Sequence, residues 1–94
     1  MPSSTLVTVL HTFELQARSR FVLVVRIDEG LVRKDMTAHV PLGDEMLDLR
    51  IAALEMTLSA SGKSHLALLL SPSAEELELL RSATLAGVRI ELTV

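Results

Sequence analysis

The side chains able to do chemistry in this chain are few and widely spaced. Three histidines, His11, His39 and His65, are the candidate metal ligands, and there is no cysteine. No two of them sit at a ligand spacing, and His11 falls in an alternating apolar stretch, where a histidine is usually a satisfied core group. Gly62-Lys63-Ser64 has the form of the tail of a phosphate-binding loop. That loop also needs a glycine five positions before Gly62, where Thr57 stands, and a helix after it, where the pattern reads as a strand. It therefore reads as a hairpin turn ending in a lysine. Serine, histidine and aspartate are all present, but no glycine-flanked serine forms a nucleophile elbow. Asp44-Glu45 and Glu75-Glu76 pair carboxylates at a turn and at a helix start, where capping accounts for them. The expectation is a protein with no catalytic residue, no cofactor and no metal, and not an enzyme.

Charge narrows the partners. Nine Lys and Arg against twelve Asp and Glu give a formal net charge of -3, so no global field draws in polyanions. The basic residues nevertheless gather in one third of the chain. Arg18, Arg20, Arg33 and Lys34 are the candidate contacts to phosphate or RNA. Stacking platforms for single-stranded bases are scarce: the two aromatics are Phe13 and Phe21, both read as inward-facing. The absence of cysteine fits a reducing compartment. The uninterrupted apolar runs, such as 21–25 and 66–70, are far too short to span a bilayer, and Met-Pro-Ser-Ser lacks the basic and apolar regions of a signal peptide. A soluble, cytoplasmic single domain over 1–94 is expected.

These residues must be positioned by strands. With 49% apolar residues, the chain carries enough hydrophobic surface for one modest core. Residues 5–15 alternate, with Val7, Val9, His11, Phe13 and Leu15 on one face. Residues 21–27 are apolar on both faces. A tight turn at Asp28-Glu29-Gly30 then leads back into a weak strand, 36–40, ended by Pro41. Residues 45–58 form a long strand with Leu47, Leu49, Ile51 and Ala53 on one face. Residues 65–70 form another. Ser73 and Glu76 make a capping box that starts a short helix over 74–82, with Leu77 and Leu80 inward. Residues 88–94 alternate cleanly. Six strands and one short helix predict a mainly β fold, a small closed six-stranded antiparallel barrel, since closure removes exposed edges.

The order of elements resembles the second domain of translational GTPases, the β-barrel of elongation factor Tu and its relatives. The resemblance covers about nine-tenths of the chain. It begins at Phe13-Glu14-Leu15 and continues through residues 22–34, where Arg26-Ile27-Asp28-Glu29-Gly30 matches an R-I-x-x-G hairpin followed by Leu31-Val32 and a basic residue. It resumes at residues 51–56, Gly62-Lys63 and residues 66–70, and ends with a helical turn and a closing strand. The family has glycines where Val25 and Asp35 stand, and others flanking the basic residue that here reads Arg18-Ser19-Arg20. The resemblance implies a barrel that contacts other domains, RNA or the ribosome. The PilZ barrels, which bind a cyclic dinucleotide, share an arginine-rich start but need a D-x-S-x-x-G turn that this chain lacks.

Alternation also leaves apolar side chains on the outside of the barrel. Leu6 and Leu10 on the first strand, Val22 and Val24 on the second, and Leu69 on the fifth point outward. Together they form a candidate protein interface, unless the helix covers them through Leu79 or Leu85. The expected function is a non-enzymatic module binding protein, as a homodimer or with a partner. The second reading is an RNA- or ribosome-binding module using the segment from Arg18 to Lys34.

Overall fold

A computed structural model of the protein describes residues 4–15, 20–58, 62 and 64–94. The elements are β1 (Ser4–Leu15), β2 (Arg20–Glu29), β3 (Thr37–Leu42), β4 (Glu45–Leu58), β5 (Ser64–Leu70), α1 (Ala74–Ser82) and β6 (Arg89–Thr93). The strands close into an antiparallel barrel in the order β1-β2-β5-β4-β3-β6, with β6 returning to β1. The expected fold class and helix are therefore observed. The core inside the ring holds Val7 and Val9 of β1, Phe21, Leu23 and Val25 of β2, Leu68 and Leu70 of β5, and Ile90 and Leu92 of β6.

The strand order corrects one local expectation. β2 and β3 do not form a hairpin, because β5 and β4 stand between them. The connection 30–36 instead crosses one end of the barrel. Gly30 turns the chain at φ +88° and lies so close to β1 that a Cβ would meet Thr5 Oγ1 at 2.8 Å and the Ser4 carbonyl at 3.1 Å. The buried Thr5 hydroxyl donates to the Leu31 carbonyl at 2.5 Å, which ties the crossing to the wall. Two further bonds, Asp35 N–H to the Ile51 carbonyl and Ile51 N–H to the Met36 carbonyl, fasten its far side to β4.

The chain between β5 and β6 must cross the other end for the same reason, and α1 lies on that crossing. Ser73 caps the helix, accepting from Glu76 N–H at 3.2 Å while Glu76 accepts from Ser73 N–H at 2.8 Å. Leu80 and Leu85 are buried and Leu77 half-buried, all within the barrel core. The helix thus stops one end of the barrel and does not cover the β2–β5 outer wall.

Three bulges set which side chains face in. The register slips at Leu10 in β1, at Asp28 in β2 and at Ala52 in β4. Each extra residue reverses the alternation beyond it. Phe13 therefore faces outward and is 43% exposed, against the inward placement expected from strict alternation. Ala53 likewise moves to the outer wall, and Leu54 takes its place inside.

Pro41 does not end β3, which runs to Leu42. It ends one ladder. The β3–β4 loop is a two-residue turn with Gly43 at φ +62° and Asp44 at negative φ, the pattern of a type II′ hairpin. Counting back from its closing pair Leu42↔Glu45, the nitrogen of Pro41 points toward β6. It has no hydrogen to give there. Pairing between β3 and β6 accordingly covers three residue pairs and stops at His39↔Glu91.

Both glycine turns use positive φ, which costs an L-residue about 1–2 kcal/mol, but at Gly43 a Cβ would meet nothing within 4 Å. Gly30→Ala should therefore lower the urea midpoint clearly more than Gly43→Ala; equal losses would show that the 30–36 crossing is not pressed against β1.

Candidate functional site

The candidate phosphate contacts do not converge. Arg20 opens β2 at the helix end of the barrel, whereas Arg33 and Lys34 are exposed on the crossing at the opposite end. The ten-residue strand between them spans roughly 30 Å at about 3.3 Å per residue. Arg18 lies outside the described residues. Two other arginines do meet, on the outer wall of β6-β1-β2. Arg26 and Arg89 both stand opposite Thr8 and lie 3.0 and 3.7 Å from the carboxylate of Asp28. Asp28 occupies the β2 bulge, its side chain is 18% exposed, and it accepts from Thr8 Oγ1 at 2.5 Å. The Thr8 hydrogen bond, then the one from Arg26, holds its carboxyl below the usual aspartate range.

The candidate protein contacts are on the outer wall as expected, but three of them are not exposed. Val22, Val24 and Leu69 are 1%, 1% and 4% exposed and form a second apolar cluster with Ala67, against which Leu15 and Ala53 pack. Leu6 and Leu10 are half-buried. The patch is contiguous, yet its centre offers a partner little area. Beside it the Leu10 bulge brings His11 opposite Val24 and Phe13 opposite Val22. The two rings stack with centroids 6.3 Å apart and planes 26° apart.

One constellation was invisible in the sequence because its members come from three strands. His39 Nδ1 lies 2.6 Å from Asp48 Oδ1, and His39 Nε2 lies 2.7 Å from Thr93 Oγ1. The order aspartate, histidine, hydroxyl is that of an activated nucleophile. The setting differs: all three are on the outer wall, Asp48 is 64% exposed, and neither His39, Asp48 nor Thr93 lines a cleft described below. The arrangement works as a clip, since it joins β4 to β3 to β6 across the short β3–β6 seam. Among the described residues no group of three or more histidine and acidic side chains converges as a metal site. At the helix end, Arg81 reaches Glu14 at 2.7 and 3.1 Å and also bonds Glu78. The Arg81 hydrogen bond holds the Glu14 carboxyl below its ordinary value.

Apolar side chains are most exposed at the end crossed by 30–36. Ile27 and Met56 have inward parity on β2 and β4, but they lie beyond the cover of the crossing and are 43% and 68% exposed. Leu31, on the crossing itself, is 75% exposed, while its neighbour Val32 packs into the core. Two clefts flank this open end. One, of about 210 Å³, is lined by Val25–Ile27, Met56 and Ser64–Leu66. The other, of about 250 Å³, is lined by Thr5, Gly30, Leu31, Arg33 and Met36 among others. A third, of about 280 Å³, lies at the helix end between the β3–β4 turn and α1.

No protein-family model, curated protein or solved structure matches the chain. No described helix is long and apolar enough to cross a membrane.

The Asp28 cluster makes a pH prediction. A carboxyl held low in the folded state adds stability that is complete above the unfolded value, about pH 4, and is lost as pH falls through the folded one. Asp28→Asn should flatten the fall in denaturant midpoint between about pH 5 and pH 2.5; an unchanged slope would show that the cluster does not bear on folding.

Proposed function

We propose that this chain is a non-enzymatic, translation-factor-like barrel module that binds protein in a cytoplasmic setting. The observation that carries the reading is the open end, where Ile27, Leu31 and Met56 sit in solvent on a closed ring. Apolar groups grouped in this way and rimmed by charge are the usual mark of a protein contact. The clefts there are small for a cofactor or drug-sized ligand, whose sites run from about 300 Å³ upward, at about 210 and 250 Å³. The backbone also lends the family resemblance some support. Asp35 stands where the family has a glycine, and it is the one described non-glycine residue with positive φ, +72°.

RNA binding is the second reading, and the β1 bulge favours it. Phe13 and His11 lie on the outer wall beside the outward-facing positions of β2, which carries Arg20 at one end and Arg26 further along. An aromatic pair between arginines is a platform for stacked bases and their phosphates.

A photo-crosslinking residue at position 56, with a second at position 13, separates the readings in cells. Protein adducts at 56, lost on adding Ile27→Lys, are the expected result. Nucleic-acid adducts at 13 without protein adducts at 56 would replace it with the RNA reading.

A further inference from the structure

We infer that the barrel binds a second copy of itself head to tail, with Leu31 of one molecule seated in the cleft between α1 and the β3–β4 turn of the next. This deepens the protein-binding reading and rests on it. Leu31 stands on the crossing at the open end with 75% of its surface exposed, and its neighbours Arg33 and Lys34 are exposed as well. Neither of those two cations is in an ion pair among the described residues. At the opposite end, Pro41, Leu42 and Leu79 line a cleft of about 280 Å³ with the buried Leu85. That volume has room for an aliphatic side chain and lies just under the range of about 300 Å³ upward of drug-sized ligand sites. Leu79 is 44% exposed on its rim.

The charges around the two features are opposite. Glu45 lines the cleft and Asp44 is next to it in the turn, while Glu75 is exposed on α1 and Glu78 is paired with Arg81. An apolar knob beside two cations on one end thus faces an apolar cleft among carboxylates on the other. Because knob and cleft lie at opposite ends of the barrel, one contact leaves a free knob and a free cleft. Such a contact is heterologous, so association continues beyond a dimer. Screening of the charges weakens it as salt rises.

The test is sedimentation of the purified chain at low salt across a wide concentration range. The weight-average mass should rise to at least about twice that of the monomer, without a plateau at the dimer, and fall back in high salt. Leu31→Glu removes the knob and Leu79→Glu puts a charge at the mouth of the cleft; both sites are exposed, and thermal melting confirms that each variant is folded. Each alone should stay monomeric. Their mixture should form a one-to-one dimer and stop there, since only one productive contact remains. Should either variant melt early, Lys34→Glu and Asp44→Lys test the contact by charge alone: each weakens self-association, and the mixture, in which both contacts pair opposite charges, recovers it beyond a dimer. A wild-type chain that stays monomeric, variants that still associate alone, or a mixture that gives no dimer overturns the inference. If it fails while position 56 still crosslinks to other proteins, the protein-binding reading stands without self-association; if both fail, the two fall together.

Discussion

Closure of the ring is the constraint on which the rest of this structure depends. Six antiparallel strands in the order β1-β2-β5-β4-β3-β6 allow three hairpins, and they oblige the other two connections to cross the ends. The closing seam, β3 with β6, is held by three residue pairs, because Pro41 cannot extend the ladder. The His39 clip, bonded to Asp48 on one side and Thr93 on the other, reinforces the seam from outside. Everything exposed or covered at the ends follows from how each crossing is built.

The two crossings differ in kind. At one end a capped helix drops Leu80 into the core and anchors itself to β1 through Arg81 and Glu14. At the other, the short connection 30–36 reaches across with Val32 and Met36 and leaves Ile27 and Met56 at its margins uncovered. The asymmetry is electrical as well. Glu45 lines the helix-end cleft with Asp44 beside it in the turn, while Arg33 and Lys34 ride on the opposite crossing, where Asp35 pairs with Arg50. A net charge of -3 hides this polarity, which a contact between unlike ends would use.

The sequence carried the elements better than their arrangement. Period-two alternation located the strands, and the Ser73–Glu76 capping box located α1, because both signals are local. Strand neighbours are not local, so Arg26 to Lys34 read as a hairpin when the chain in fact crosses the barrel there. Bulges are nearly silent in a sequence: one extra residue at Leu10 or Ala52 looks like any other, yet it sends Phe13 and Ala53 to the outer wall. A histidine inside an apolar alternation was the available hint, since the exchange of faces at Leu10 puts His11 on the exposed outer wall. The Asp48–His39–Thr93 line and the open end needed the strand order before they could be seen.

The exposed side chains of the open end, proposed as a contact surface, contribute little to folding, unlike Val32 and Met36 of the same crossing. The most direct measurement is the unfolding free energy of Met56→Lys beside that of Leu80→Ala, one residue from each end. Met56→Lys should stay within about 0.5 kcal/mol of the unaltered chain, and Leu80→Ala should cost about 2–5 kcal/mol. A loss at Met56 as large as that at Leu80 would mean that the exposed side chains hold the barrel together, and would contradict the account.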